Sequence, residues 1–179
     1  MISNFYHYKL EVEKVKELKE EIDYVIATRG TLIDPSVYDI STKNGDQYHL
    51  NFDLIGSYPK AEKTLKEIVT DCCGNLNLHI SNAWTIYGKK GGWHSIHNHG
   101  NHSNDICTVT YLNVGEETVR ESGNFFFFMG DTHRPRSFTP TTGDVVIFPA
   151  WMYHGTYPQS SDMRQTLNVD FYYEKPILK

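Results

Sequence analysis

Long apolar runs are missing from this chain of 179 residues. No stretch approaches the roughly 20 apolar residues that cross a bilayer as a helix, and no membrane partner is expected. An excess of positive charge is missing too. Against 17 Lys and Arg stand 22 Asp and Glu, a formal charge of −5, which gives no diffuse attraction to phosphate backbones. Nucleic acid is therefore not an expected partner. Cysteine is scarce, and Cys72, Cys73 and Cys107 form neither a CxxC pair nor an even disulfide framework. Their pattern fits a reducing, cytoplasmic setting. The opening Met1-Ile2-Ser3-Asn4-Phe5 lacks the basic region and apolar run of a secretory signal. Internal repeats and Pro/Gly/Ser-rich linkers are also absent, so the length reads as a single domain, 1–179, able to bury a core.

What is present changes character near residue 75. In the helical N-terminal part, 1–75, Val15, Leu18, Ile22, Val25 and Ile26 recur at helical spacing before Gly30, which provides a left-handed stop. Ala61, Leu65, Ile68, Val69 and Cys72 repeat the pattern between Pro59 and Gly74. Residues 31 to 56 hold no clear period. From Leu76 the period falls to two, with Leu78, Ile80, Trp84 and Ile86 on one face of a strand. Further strands are expected near 105–113, 123–129, 144–148, 152–157 and 164–173, separated by turn signals such as Gly130-Asp131 and Gly143-Asp144. The Phe125 to Phe128 run reads as a buried strand without chemistry. Many short strands predict a mainly β fold: a jelly-roll core over 76–175 with the two N-terminal helices packed on its outside.

The last strand shows how that roll is oriented. Leu167, Val169 and Phe171 share one face, while Arg164, Thr166, Asn168 and Asp170 share the other. The apolar face belongs under the helices, and the polar face lines the interior. His97 and His99, two apart, would point to one face at a reach suited to a divalent first-row metal. Taken alone, His-x-His fits a polar surface loop equally well. His154, following the apolar strand Val145 to Phe148, supplies a third ligand from a later strand and favours a metal site.

These residues resemble the Fe(II)- and 2-oxoglutarate-dependent oxygenases, in particular the prolyl-hydroxylase-like and phage or bacterial members. The likeness covers Trp84 to Tyr173 and rests on Gly91 before His97-x-His99, on Val109-Thr110-Tyr111-Leu112-Asn113, on Gly143-Asp144-Val145-Val146-Ile147-Phe148-Pro149 before His154, and on Arg164-Gln165-Thr166 beyond it. The resemblance implies that His97, His99 and His154 hold iron, and that Arg164, Thr166 and Tyr111 hold the distal carboxylate of 2-oxoglutarate. It implies a dioxygenase that uses O2, releases succinate and hydroxylates a peptide or small-molecule substrate. A planar guanidinium that grips a carboxylate in a bidentate fork suits Arg164 independently.

One departure stands out: most members carry Asp or Glu where this chain has His99. Asp105 is the alternative source of a carboxylate. The Gly143 to His154 stretch also matches a cupin motif, which offers a second reading as a three-histidine metalloprotein that does not use 2-oxoglutarate. A jelly roll that only binds sugar or protein is the third. Residues 31–56 and the loop 130–136, with Arg134 and Arg136, are candidates to cover the site, and Trp84 and Trp93 to wall it. Substrate and oligomeric state, a dimer included, are left open.

Overall fold

The apolar periodicities of the N-terminal part become helix α1 (Val12–Arg29) and helix α2 (Pro59–Cys73) in a computed structural model of the chain, which describes residues 4–33, 42–50, 58–100, 105–117, 119–130 and 134–174. Helix α1 buries Val15, Leu18, Ile22 and Val25, and α2 buries Ala61, Leu65, Ile68 and Val69, so each shows the roll one apolar stripe. The first turn of α2 receives no side-chain bond from its cap residue Tyr58. Instead Glu21 of α1 accepts the N–H groups of Lys60 and Ala61 at 3.0 and 2.7 Å, satisfying two of the donors that a helix start leaves open. Gly30 departs from expectation: its φ of −66° is extended, not left-handed. Close approach explains the glycine, because a Cβ there would stand 2.8 Å from Ile26 Cα.

The N-terminal part is not purely helical. It also contributes β1 (Tyr6–Lys9), β2 (Thr31–Leu32) and β3 (Thr42–His49). Strand β3, Thr-Lys-Asn-Gly-Asp-Gln-Tyr-His, has no alternation to announce it; it forms because it completes the backbone hydrogen bonds along a longer strand. The rest of the stretch expected to cover the site, 34–41 and 51–56, lies outside the described residues.

The C-terminal part supplies β4 (Leu78–His97), β5 (Ile106–Asn113), β6 (Phe125–Phe127), β7 (Arg136–Phe138), β8 (Asp144–Pro149), β9 (His154–Thr156) and β10 (Arg164–Tyr173). The pairings are antiparallel and run β1-β8-β5-β10-β4-β9-β6-β7, with β3 also on β4. The fold is a mainly β jelly roll, and its curl depends on β4. That strand pairs β10 along its first half and β9 at its end, carrying the chain from the helix-covered side to the opposite one.

Alternation sorts the core into two layers. Val145, Ile147, Leu167, Val169 and Phe171 pack with the helices, whereas Val146, Phe148, Tyr111, Phe125 and Met152 form a second cluster inside the roll. Strand β4 breaks the simple period. The register against β10 slips so that Asp170 faces Asn82 and Phe171 faces Ile80, leaving Ser81 as an extra residue. A bulge of one residue exchanges the faces. Leu78 and Ile80 therefore lie with the helices, but Trp84 and Ile86, expected beside them, line the interior cavity.

Candidate active site

His97, the last residue of β4, and His154, the first of β9, are paired across the two strands. His99 sits two residues beyond the end of β4, where its backbone N–H donates to Ala150 O at 2.8 Å. The structure thus brings the three histidines together, although only two of them are on strands. One ring nitrogen from each lies within 4.8 Å of the others. Their opposite nitrogens are engaged: His97 Nδ1 meets Ser95 O at 2.7 Å, His154 Nδ1 meets Met152 O at 2.9 Å, and His99 Nδ1 meets Asp170 Oδ1 at 2.8 Å. Carbonyl and carboxylate oxygens only accept, so each Nδ1 must carry the hydrogen. In a neutral ring Nε2 is then the bare lone pair, the form that binds a metal.

Burial also keeps two of these rings, His97 and His154, neutral. It pushes His97 down to about 4 and His154 well below its ordinary value, and neighbouring imidazoles add to the effect. His94, on the same cavity, is lowered to about 3 by burial and by His97 and Arg164. In the unfolded chain these groups return to 6.5. Between about pH 6.5 and 4 the unfolded chain therefore binds more protons, and stability falls as pH falls. Thermal unfolding of metal-free protein followed across that window should show a steadily decreasing midpoint. A flat profile would contradict buried neutral histidines.

Arg164, Thr166 and Tyr111 line the same cavity as the histidines. The Arg164 side chain is 7% exposed; its Nη2 donates to Glu117 Oε1 at 2.9 Å and its Nη1 to Gly123 O. Two donors on this cavity, Arg164 Nε and the Tyr111 hydroxyl, are buried without a hydrogen-bond partner among the described residues. The guanidinium carbon is 5.9 Å from the centre of the Tyr111 ring. Thr166 Oγ1 accepts from Asn168 Nδ2 at 3.1 Å, which leaves its own hydrogen to donate. Buried donors without acceptors are costly, and a carboxylate entering here would satisfy them. The residues present thus fit both groups, a divalent metal on three imidazoles and an anionic cosubstrate beside it.

A family model described as "Putative 2OG-Fe(II) oxygenase" matches residues 82–170, the stretch that holds all of these side chains. The chain belongs to the 2OG-Fe(II) oxygenase family. That membership implies Fe(II) and 2-oxoglutarate. Solved structures of similar fold include a prolyl hydroxylase from Trichoplax adhaerens in complex with a hypoxia inducible factor peptide fragment (TM-score 0.70, 11% identity, 94% of this chain and 84% of that one). A Pseudomonas putida prolyl-4-hydroxylase matches with TM-score 0.67 and 16% identity over 96% of this chain and 93% of that one. HygX from Streptomyces hygroscopicus with nickel, 2-oxoglutarate and hygromycin B bound matches with TM-score 0.65 and 14% identity over 94% and 82%. At such identities the likeness shows the fold. No curated protein matches the sequence.

Within this oxygenase-family site, several expectations resolve differently. Asp105 does not join the histidines: its carboxylate accepts the Tyr173 N–H at 3.2 Å and closes the end of the β5–β10 pair. Trp84 packs against His99, with ring centres 5.5 Å apart, and Trp93 reaches the cavity while 41% exposed. Phe125, read as plain core, stacks on His154 at 5.5 Å, and Phe148 approaches it at 4.6 Å. In the loop considered as a cover, Arg136 belongs to β7 and is exposed, while 131–133 lie outside the described residues.

Sequence reasoning missed Glu117. Its carboxylate accepts from Arg164, Ser122, Ser160 and Ser161, and no local pattern pointed to it. Partial burial pushes the acid up, but the hydrogen bonds from Ser160, Ser161 and Ser122 outweigh it and hold it down at about 2. Gly123, at φ +64°, belongs to the same arrangement, because a Cβ there would stand 2.2 Å from Arg164 Nη2.

Proposed function

We propose that this chain is a non-haem iron dioxygenase that converts 2-oxoglutarate and O2 to succinate and carbon dioxide while hydroxylating a peptide or small-molecule substrate. The observation that carries this reading is the pair of unsatisfied buried donors, Arg164 Nε and the Tyr111 hydroxyl, on the cavity that also holds the three histidines. When bound, iron and 2-oxoglutarate supply the oxidation by dioxygen that side chains alone lack. The chain's own part is to hold and orient. His97, His99 and His154 offer Nε2 lone pairs, and Arg164, Tyr111 and Thr166 bind the far carboxylate. Glu117 keeps the guanidinium aimed, while Phe125, Phe148 and Trp84 exclude water on the sides they cover. The peptide and hygromycin B bound by two of the similar structures support a peptide or small-molecule substrate class here.

Anaerobic titration of the Fe(II)-loaded protein with 2-oxoglutarate tests the reading through the weak visible band of the chelate. Wild type should give the band, and Arg164→Ala should need about 100-fold more ligand, the effect of about 3 kcal/mol for a lost buried charged partner. Bound iron without any band would favour the three-histidine metalloprotein that does not use 2-oxoglutarate. No bound metal at all would overturn both.

A further inference from the structure

We propose that Asp170 is a positioning residue of the metal site: its carboxylate fixes His99 as an Nε2 ligand and lends, through that ring, negative charge that three neutral imidazoles lack. The inference rests on the metal-binding reading above. His97 and His154 direct Nδ1 to carbonyls only two residues away, Ser95 O and Met152 O. His99 is held differently. Its Nδ1 meets a carboxylate from β10, 71 positions along the chain, at 2.8 Å, with the two side chains 12% and 3% exposed. The Cys107 thiol, paired across from Asp170 on β5, lies beside the same carboxylate. One ligand atom each from His99, Cys107 and Asp170 lies within 4.8 Å of the others. Asp170 continues the alternation of Arg164, Thr166 and Asn168 along β10, so it shares their face of the strand.

A carboxylate that accepts the Nδ1 hydrogen fixes both tautomer and ring orientation and makes Nε2 more basic. It also brings a full negative charge close to a dication, in a buried place where charges are weakly screened. Asp170 does not touch the metal in this arrangement. It acts one imidazole away, so the site keeps three nitrogen ligands and still gains the compensation that a carboxylate ligand would give.

Asp170→Asn preserves size and an accepting oxygen but removes the charge. Co(II), added without 2-oxoglutarate, is the probe. The variant should bind Co(II) about 10–100-fold more weakly than wild type, the range for losing such an outer partner. Its visible d–d spectrum should change, and its Fe(III)/Fe(II) potential should rise. A purely structural role would leave the potential unmoved in a variant that melts normally. Long-range 1H–15N correlation on the metal-free wild type reads the tautomer directly and should place the hydrogen of His99 on Nδ1. A folded Asp170→Asn protein with wild-type affinity, spectrum and potential overturns the proposal, as does a wild-type His99 protonated on Nε2. Should the variant fail to fold, the tautomer measurement decides. Wild type that binds no Co(II) sinks the metal site itself, whereas wild type and variant binding equally well sink only the role of Asp170.

Discussion

Replacing His154 with alanine is expected to remove metal binding and, with it, succinate release. The ring supplies one of three convergent nitrogens, and His97 and His99 together cannot close the face that a third ligand from β9 completes. Loss of an outer partner already costs about 10–100-fold in metal affinity, so loss of a direct ligand should exceed about 100-fold. His154 is also 4% exposed and packs against Phe125 and Phe148, so the variant leaves a hole beside two aromatic rings. Stability should fall by roughly 1–3 kcal/mol, within the common range for single replacements. Calorimetry and metal analysis of the folded variant separate the two effects. Iron bound stoichiometrically and tightly by His154→Ala would rule out this ligand set.

Glu117→Ala should produce the largest loss of stability at any polar position in the site. Glu117 is the acceptor for the Arg164 guanidinium, for the Ser160 backbone N–H and for the hydroxyls of Ser122, Ser160 and Ser161. The pair is largely shielded, at 7% exposure for Arg164 and 14% for Glu117. Removing one member of such a pair strands the other charge, at about 3–5 kcal/mol. For a chain of this size that is roughly 6–20 °C in thermal midpoint. The sign with pH follows from a folded-state value held at about 2 against an ordinary 4.5. The stabilisation is fully present above about pH 4.5 and is lost as pH falls toward 2, so wild type and variant should converge in acid. The affinity for 2-oxoglutarate should drop as well, by less than in Arg164→Ala, because the guanidinium remains but is no longer aimed. A variant that melts with the wild type at neutral pH would show that the serines and Arg164 find other partners.

Much of this was legible in local pattern. The stripes Val15-Leu18-Ile22-Val25 and Ala61-Leu65-Ile68-Val69 predicted both helices, since a helix repeats its environment every three to four residues. In β10 the even positions face the site and the odd ones face the helices, as alternation requires. Where the period was broken, prediction failed. The extra residue at Ser81 moved Trp84 and Ile86 to the cavity, and β3 had no period to read.

The residue types in order thus determined, by themselves, the mainly β roll with outer helices and the candidate ligands His97, His99 and His154, because periodicity and donor chemistry are local properties. Tertiary structure alone decided what surrounds those donors. Asp170 behind His99, Glu117 beneath Arg164 and the unsatisfied Tyr111 hydroxyl all depend on pairings between strands far apart in the chain. A side chain's partner across a sheet follows from register and bulges, and register is settled only when the whole sheet packs.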